Sequence, residues 1–264
     1  MDQTVADDLK SSPLERYFRI VEVLCGFPAG LGLADIAALL SIPRQSAHRL
    51  LANMQAAKLI AVTGGRNQRY ILADRIRRIA VLAIDDGLVR SLTSDLLKRL
   101  CAEVGETTYL ARIQGSEIHS VAMESPDTPW RGFVLPGKIL QPHATASGKA
   151  IMAFQPKEVA DSALGANLER FTLKTLTTRA DIEKEYARIR QRGYATCLAE
   201  VDDNLAAIAV PVEIEGVGVQ YSLGLVGPLK RITELVKEKI FLKMRPYAKS
   251  ISSAVSVESD HRSA

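Results

Sequence analysis

The stretch from Leu33 to Leu72, LADIAALLSIPRQSAHRLLANMQAAKLIAVTGGRNQRYIL, constrains this chain more than any other. Leu33, Ile36, Ala37 and Leu40 form a short apolar stripe at helical spacing, and Ser41-Ile42-Pro43 breaks it. Pro43 is placed to open another helix, in which Ala47, Leu50, Leu51 and Met54 face inward. Arg44, Gln45, Ser46, His48 and Arg49 must then lie outward or at the edges. Leu59–Val62 and Tyr70–Leu72 read as two short strands. TGGRNQR between them reads as a turn, with glycine to take positive φ. Two short helices, a tight turn and a hairpin with a basic tip are the parts of a winged helix-turn-helix, in order.

Charge supports a nucleic-acid partner for this part alone. Residues 41–79 hold eight Lys/Arg against one acid, a local +7 inside a chain of net charge +4, so the remainder is slightly acidic. A helix-turn-helix lays its second helix in the major groove of double-stranded DNA. Arg bonds guanine and Gln bonds adenine there, whereas Ser46 and Arg49 suit phosphates. At the tip of the hairpin, Arg66, Asn67, Gln68 and Arg69 are in position for the backbone or the minor groove. The plainer alternative is a solvated helix face and a polar turn. For Arg49 there is a further one, a stem packed on the scaffold with its charge paired inside the domain.

A length of 264 residues with 47% apolar and 24% charged residues suits one large or two ordinary domains. Cys25, Cys101 and Cys197 are far apart and odd in number, with no metal-ligand spacing. No disulfide framework, metal site or cofactor is expected, and a reducing cytoplasm is the simplest setting. The acidic, polar start MDQTVADDLKSS does not read as a signal peptide. No apolar run approaches the roughly 20 residues of a membrane span.

Five segments are expected: a disordered tail over 1–12, the winged helix-turn-helix over 13–76, a linker helix over 77–95, a second domain over 96–254, and a disordered tail over 255–264. In the second domain Tyr109–Ile113 and Ile118–Glu124 flank a turn, and Phe133–Leu135 and Ile139–Leu140 read as short strands. A helix begins near Thr145, and Thr178 with Asp181 caps another that ends at Gly193. Tyr194–Cys197, Ala206–Ile214 and Val217–Val226 read as strands, followed by one helix from Ile232 to about Ser253. This order favours an α+β fold with an antiparallel sheet.

Several of these segments resemble one family, the IclR (isocitrate lyase regulator) family of bacterial transcription factors. SIPRQSAHRLLANMQAAKLI is similar to its recognition helix, and RYIL to the end of its wing. LPGKILQPHATASGKA, LTTRADIEKEYARIRQRGYA and AAIAVPVEIEGVGVQYSLGLVGP are similar to segments of its C-terminal domain, in the family's order over about residues 14–250. The resemblance implies a winged helix-turn-helix joined by a linker helix to a GAF-like α/β effector-binding domain. It also implies dimers that pair into dimers of dimers.

The resemblance places a small-molecule pocket around His143, Thr145, Ala146 and Ser147 on one side and Cys197, Glu200, Ala207, Gly224 and Val226 on the other. The backbone amides of Ala146 and Ser147 are expected to approach an anion; plain N-capping by Thr145 or Ser147 is the alternative. Lys149 is expected on the helix exterior or in a structural ion pair. The family has more polar residues where this chain has Ala207, Gly224 and Val226. A tiny polar acid would leave groups unpaired here, at ~1–3 kcal/mol each. The expected effector is therefore a larger, partly apolar organic acid, aromatic or aliphatic. Tyr109, Met123, Trp130 and Phe133 are candidate lining, with ordinary packing or surface anchoring as the alternative for each.

A competing enzyme reading would use Cys197 as nucleophile and His143 as base, with Glu200, Asp202 or Asp203 as orienter. No spacing supports it, and the chain has no Gly-x-Ser-x-Gly elbow, phosphate loop or dinucleotide fingerprint. A binding protein without a regulatory role is a third class.

Overall fold

A computed structural model describes residues 12–65 and 67–256. Most of both expected tails, and Arg66, lie outside the described residues. The described chain divides into two compact units, one ending at Ala83 and the other spanning Ile84–Ser256.

The first unit comprises α1 (Pro13–Cys25), α2 (Leu33–Leu39), α3 (Arg44–Ala56), β1 (Ile60–Thr63), β2 (Arg69–Leu72) and α4 (Asp74–Ala83). Ser12 caps α1 by accepting from the Glu15 amide, and Pro13 occupies the first turn. Ile20 and Leu24 of α1, Ile36 of α2, Leu40, Leu50, Leu51 and Met54 of α3, Ile60 and Tyr70 make one core. An Asn53–Tyr17 hydrogen bond of 2.8 Å ties α3 to α1. β1 and β2 pair antiparallel from Ile60↔Leu72 to Thr63↔Arg69. Gly64, at φ 77°, turns the hairpin; a Cβ there would lie 2.6 Å from the Asn67 carbonyl oxygen.

The second unit opens with α5 (Asp86–Val104), capped by Asp85 through the Leu88 amide at 3.0 Å. The expected linker stretch 77–95 thus spans the end of α4 and the start of α5, interrupted at Asp85. Asp85 adopts an extended conformation and supplies a carboxylate to the start of a new helix, so α4 and α5 are separate. The buried face of α5 is Val89, Thr93, Leu97, Leu100 and Cys101, while Leu88 and Leu92 are exposed. Thr93 can be buried because its hydroxyl donates to the Val89 carbonyl at 2.8 Å.

Then follow β3 (Thr107–Gln114), β4 (Glu117–Glu124), α6 (Ala146–Met152), α7 (Lys157–Leu164), α8 (Arg179–Arg192), β5 (Ala195–Leu198), β6 (Leu205–Ile214), β7 (Gly218–Pro228), α9 (Leu229–Lys237) and α10 (Phe241–Val255). The strands form one antiparallel sheet in the order β4-β3-β7-β6-β5. Every residue of β3 from Thr107 to Ile113 is buried, because both faces are covered. Thr108 donates to the Leu97 carbonyl of α5 at 3.0 Å. Tyr109 and Ala111 join Ala146, Ala150 and Ile151 of α6 and Ile182, Tyr186 and Ile189 of α8 in a core on the opposite face.

Three other expectations change. The final helix is two, since Lys239 takes φ 59° and breaks it after Lys237. Residues 133–135 form no strand, and Ile139 makes only an isolated bridge to His119. Backbone bonds from Ser120 to Lys138 and from Leu140 to Ile118 still lay this segment along β4. Val255, assigned to the C-terminal tail, is fully buried at the end of α10, so the domain extends past residue 254.

Gly148 sits where α6 meets the loop before it. A Cβ there would lie 2.3 Å from the Gln141 carbonyl oxygen and 2.8 Å from Pro142 Cα. Both are backbone atoms, so Gly148→Ala should lower the unfolding free energy by about 1–3 kcal/mol in denaturant titrations.

Candidate functional site

In the first unit, α3 turns Ala47, Leu50, Leu51 and Met54 inward and leaves Arg44, Gln45, His48 and Arg49 exposed, with Ser46 half-buried. The N-terminus of α3 has no side-chain cap and no acid in its first turn, so its amides and partial positive charge remain available for a phosphate. Arg44 and His48 share a recess of about 490 Å³ with Asn67, Gln68 and Arg69 of the hairpin. Helix face and hairpin tip thus converge on one basic surface. Asp35, which also lines the recess, is engaged as an N-terminal cap, accepting from the Gly32 amide at 3.2 Å. Arg69 is not a free wing-tip side chain: its guanidinium donates to the Gly30 carbonyl at 3.0 Å, bracing the hairpin against the loop before α2.

In the second unit a cavity of about 910 Å³ opens on the sheet face that carries α6. Its sheet wall is a cross-strand row, Cys197–Ala207–Val226, set by the registers of β5, β6 and β7. Tyr109, Thr145 and Ala146 join it, with Phe133, Leu135, Ile139 and Leu140 from the segment along β4, Phe171 and Val201 from other loops, and Leu205 from the start of β6. Its polar lining includes Gln141, Asp202 and Lys138, and Lys138 is exposed.

Four expected lining residues are spent elsewhere. His143 bonds the Glu169 carbonyl at 2.9 Å and stacks on Phe171. Met123 accepts from the Val134 amide through its sulfur at 3.3 Å. Gly224 is covered by the ring of Tyr109, whose Cζ would lie 2.3 Å from a Cβ at that position. Glu200 accepts two hydrogen bonds from Lys149, at 2.5 and 2.6 Å. Of the two placements expected for Lys149, the structure has the ion pair, buried, and not the helix exterior. Burial pushes the Glu200 carboxyl above its usual range, and Lys149 pulls it back down. Trp130 is exposed and does not line the cavity.

Thr145 caps α6 through the Gly148 amide at 3.0 Å. Ser147 is fully buried, and its hydroxyl has no hydrogen-bond partner among the described residues. It lies beside the Tyr109 hydroxyl without the geometry of a hydrogen bond. An unpaired buried hydroxyl costs about 1–3 kcal/mol.

A model of the IclR helix-turn-helix domain matches residues 13–63, and one of the bacterial transcriptional regulator IclR C-terminal domain matches residues 81–253. The chain belongs to the IclR family. Its relatives include the probable transcriptional regulator SauR of Cupriavidus necator, 30% identical over 200 residues that cover 75% of this chain and 78% of SauR. The regulator TtgV of Pseudomonas putida is 28% identical over 86% of both chains. Among solved structures, the Thermotoga maritima IclR has a TM-score of 0.60 at 21% identity, over 92% of this chain and 98% of that one. An IclR homologue from Microbacterium hydrocarbonoxydans, solved with 4-hydroxybenzoate, has a TM-score of 0.59 at 23% identity, over 94% and 100%. These likenesses show the fold.

This IclR-family protein is therefore a transcriptional regulator with a helix-turn-helix DNA-binding domain, and its relatives are regulators rather than enzymes. The chemistry around Cys197 agrees. Burial and then Glu200 push its thiol up, the reverse of nucleophile activation. Among the described residues no helix is long and apolar enough to cross a membrane, and no group of three His, Cys, Asp or Glu could hold a metal.

Lining residues missed in the sequence include Leu135, Ile139, Leu140, Phe171, Val201 and Leu205, which lie in loops or at a strand end. The one available signal was the apolar content of RGFVLPGKIL, which was divided between two strands. Replacing Lys149 with Met should leave Glu200 buried without its partner and lower stability by about 3–5 kcal/mol at neutral pH, read by denaturant unfolding.

Proposed function

We propose that this regulator binds a palindromic operator as a homodimer or dimer of dimers, and that a small organic effector in the second unit modulates that binding. Arg44, Gln45, Ser46, His48 and Arg49 serve as the reading face. Asn67, Gln68, Arg66 and the braced Arg69 form the flanking hairpin contact. Two-fold pairing suits the operator because one such helix contacts too little DNA for high specificity. The exposed pairs Leu14 and Phe18 on α1, Ile79 and Leu82 on α4, and Leu88 and Leu92 on α5 are apolar side chains at helical spacing. They suit burial against a second copy.

The observation that carries the effector reading is the cavity itself, large, walled mainly by apolar and aromatic side chains, with Tyr109, Thr145, Ala146, Cys197, Ala207 and Val226 at its inner side. It suits an effector with a mostly apolar or aromatic body. The 4-hydroxybenzoate in the Microbacterium homologue supports an aromatic occupant for this fold. A carboxylate on the effector has Lys138 to meet it, at the exposed rim. Coupling is thermodynamic: the effector changes operator affinity by the difference in its own affinity for the DNA-competent and incompetent arrangements.

Fluorescence anisotropy on an operator selected from random duplexes tests both halves. Arg44→Ala and Arg49→Ala should each weaken binding about tenfold or more, with the salt slope reduced by about one where the contact is a phosphate. Ala207→Trp should fill the cavity and abolish the effector response while leaving effector-free DNA binding in place. Unchanged affinity in both arginine variants, or a full response from the filled cavity, would overturn the corresponding half.

A further inference from the structure

Tyr109 on β3 and Gly224 on β7 are direct cross-strand partners. A methyl group at position 224 would lie 2.3 Å from Tyr109 Cζ, 2.5 Å from Cε1 and 2.7 Å from the hydroxyl oxygen. The phenolic end of the ring is thus folded flat over the glycine, in the space any other side chain would fill. This brings the hydroxyl to the start of α6, beside the amide and hydroxyl of Ser147, while the residue still lines the cavity.

The Ser147 hydroxyl beside it makes no hydrogen bond among the described residues, so the phenol proton is not spent there and is left for the cavity. Burial pushes the Tyr109 pKa up to about 12, with Ser147 pulling it back, so the donor keeps its proton at neutral pH.

The same inner wall lacks positive charge. Lys138 is exposed, and Lys149 is committed to Glu200. At Cys197, which lines the cavity, the Glu200 carboxylate acts more strongly than the Lys149 ammonium. A carboxylate buried there would lose its water without gaining a cation.

Resting on the reading of the cavity as the effector site, we propose that Tyr109 is the effector's inner polar anchor. The group it receives is an uncharged oxygen acceptor, a carbonyl, ether or hydroxyl on an apolar body, and any carboxylate points outward. Gly224 is the positioning residue that lets the ring lie in place.

Calorimetric titration of the full chain with three matched probes tests this. 2-Acetylnaphthalene carries the acceptor, 2-ethylnaphthalene lacks it, and 2-naphthoate replaces it with a charge. The acetyl probe should bind about tenfold tighter than either of the others, the value of one buried hydrogen bond. Tyr109→Phe should bring the acetyl-to-ethyl affinity ratio to about one, and Gly224→Ala, which evicts the ring, should lower it in the same direction. An unchanged ratio in Tyr109→Phe, or tightest binding by 2-naphthoate, overturns the anchor and leaves the effector site standing. No binding by any probe, or binding indifferent to Ala207→Trp, overturns the effector site as well.

Discussion

The second unit depends on one buried ion pair, Lys149 with Glu200. Lys149 stands on α6, whose first residues line the cavity, and Glu200 follows β5 at the head of the loop that supplies Val201 and Asp202. The pair therefore ties two walls of the cavity together. Taking both charges out of water is costly; burial pushes the Glu200 carboxyl up and Lys149 pulls it back down. The backbone around the pair is held by further bonds. Ala199 holds a left-handed φ of 59°, and Thr172 and Thr175 donate to the carbonyls of Ala199 and Glu200 at 2.7 and 2.6 Å. With the backbone fixed this tightly, the carboxylate has one place to be.

The DNA-binding unit uses polarity in the opposite way. Its core is apolar, from Ile20 to Tyr70, and its chemistry lies on a face kept out of the core. Arg44, Gln45, His48 and Arg49 remain exposed. Arg69, at the turn end of the hairpin, spends its guanidinium on Gly30 and braces the hairpin against the loop before α2. A groove-reading surface needs donors that water can reach and DNA can displace, whereas a ligand cavity needs a few donors that water cannot reach.

Local signals made the first unit legible. The stripes of α2 and α3, the proline between them and the glycines of the hairpin are each decided within a few residues. The capping pair Thr178 and Asp181 and the terminating Gly193 announced α8 in the same way. Longer-range packing defeated the same method. Leu88 and Leu92 look like the inner stripe of α5, yet the sheet takes Val89 and Leu97 and accepts Thr93, whose hydroxyl is satisfied inside its own helix. The break at Lys239 carries no proline or glycine to mark it.

The sequence by itself determined the two-part plan, the family and the basic exposed face of α3, because periodicity, breakers and charge are properties of neighbouring residues. Only the tertiary structure decided the cavity. His143, Glu200 and Met123 carry chemistry suited to a ligand, but each meets a protein partner first. Gly224 has no side chain to offer, and its role is to make room for Tyr109. A residue's type states what it is able to bond. Which bond it makes is set by whatever the fold brings within about 3 Å of it, and for these residues that partner lies far away in the chain.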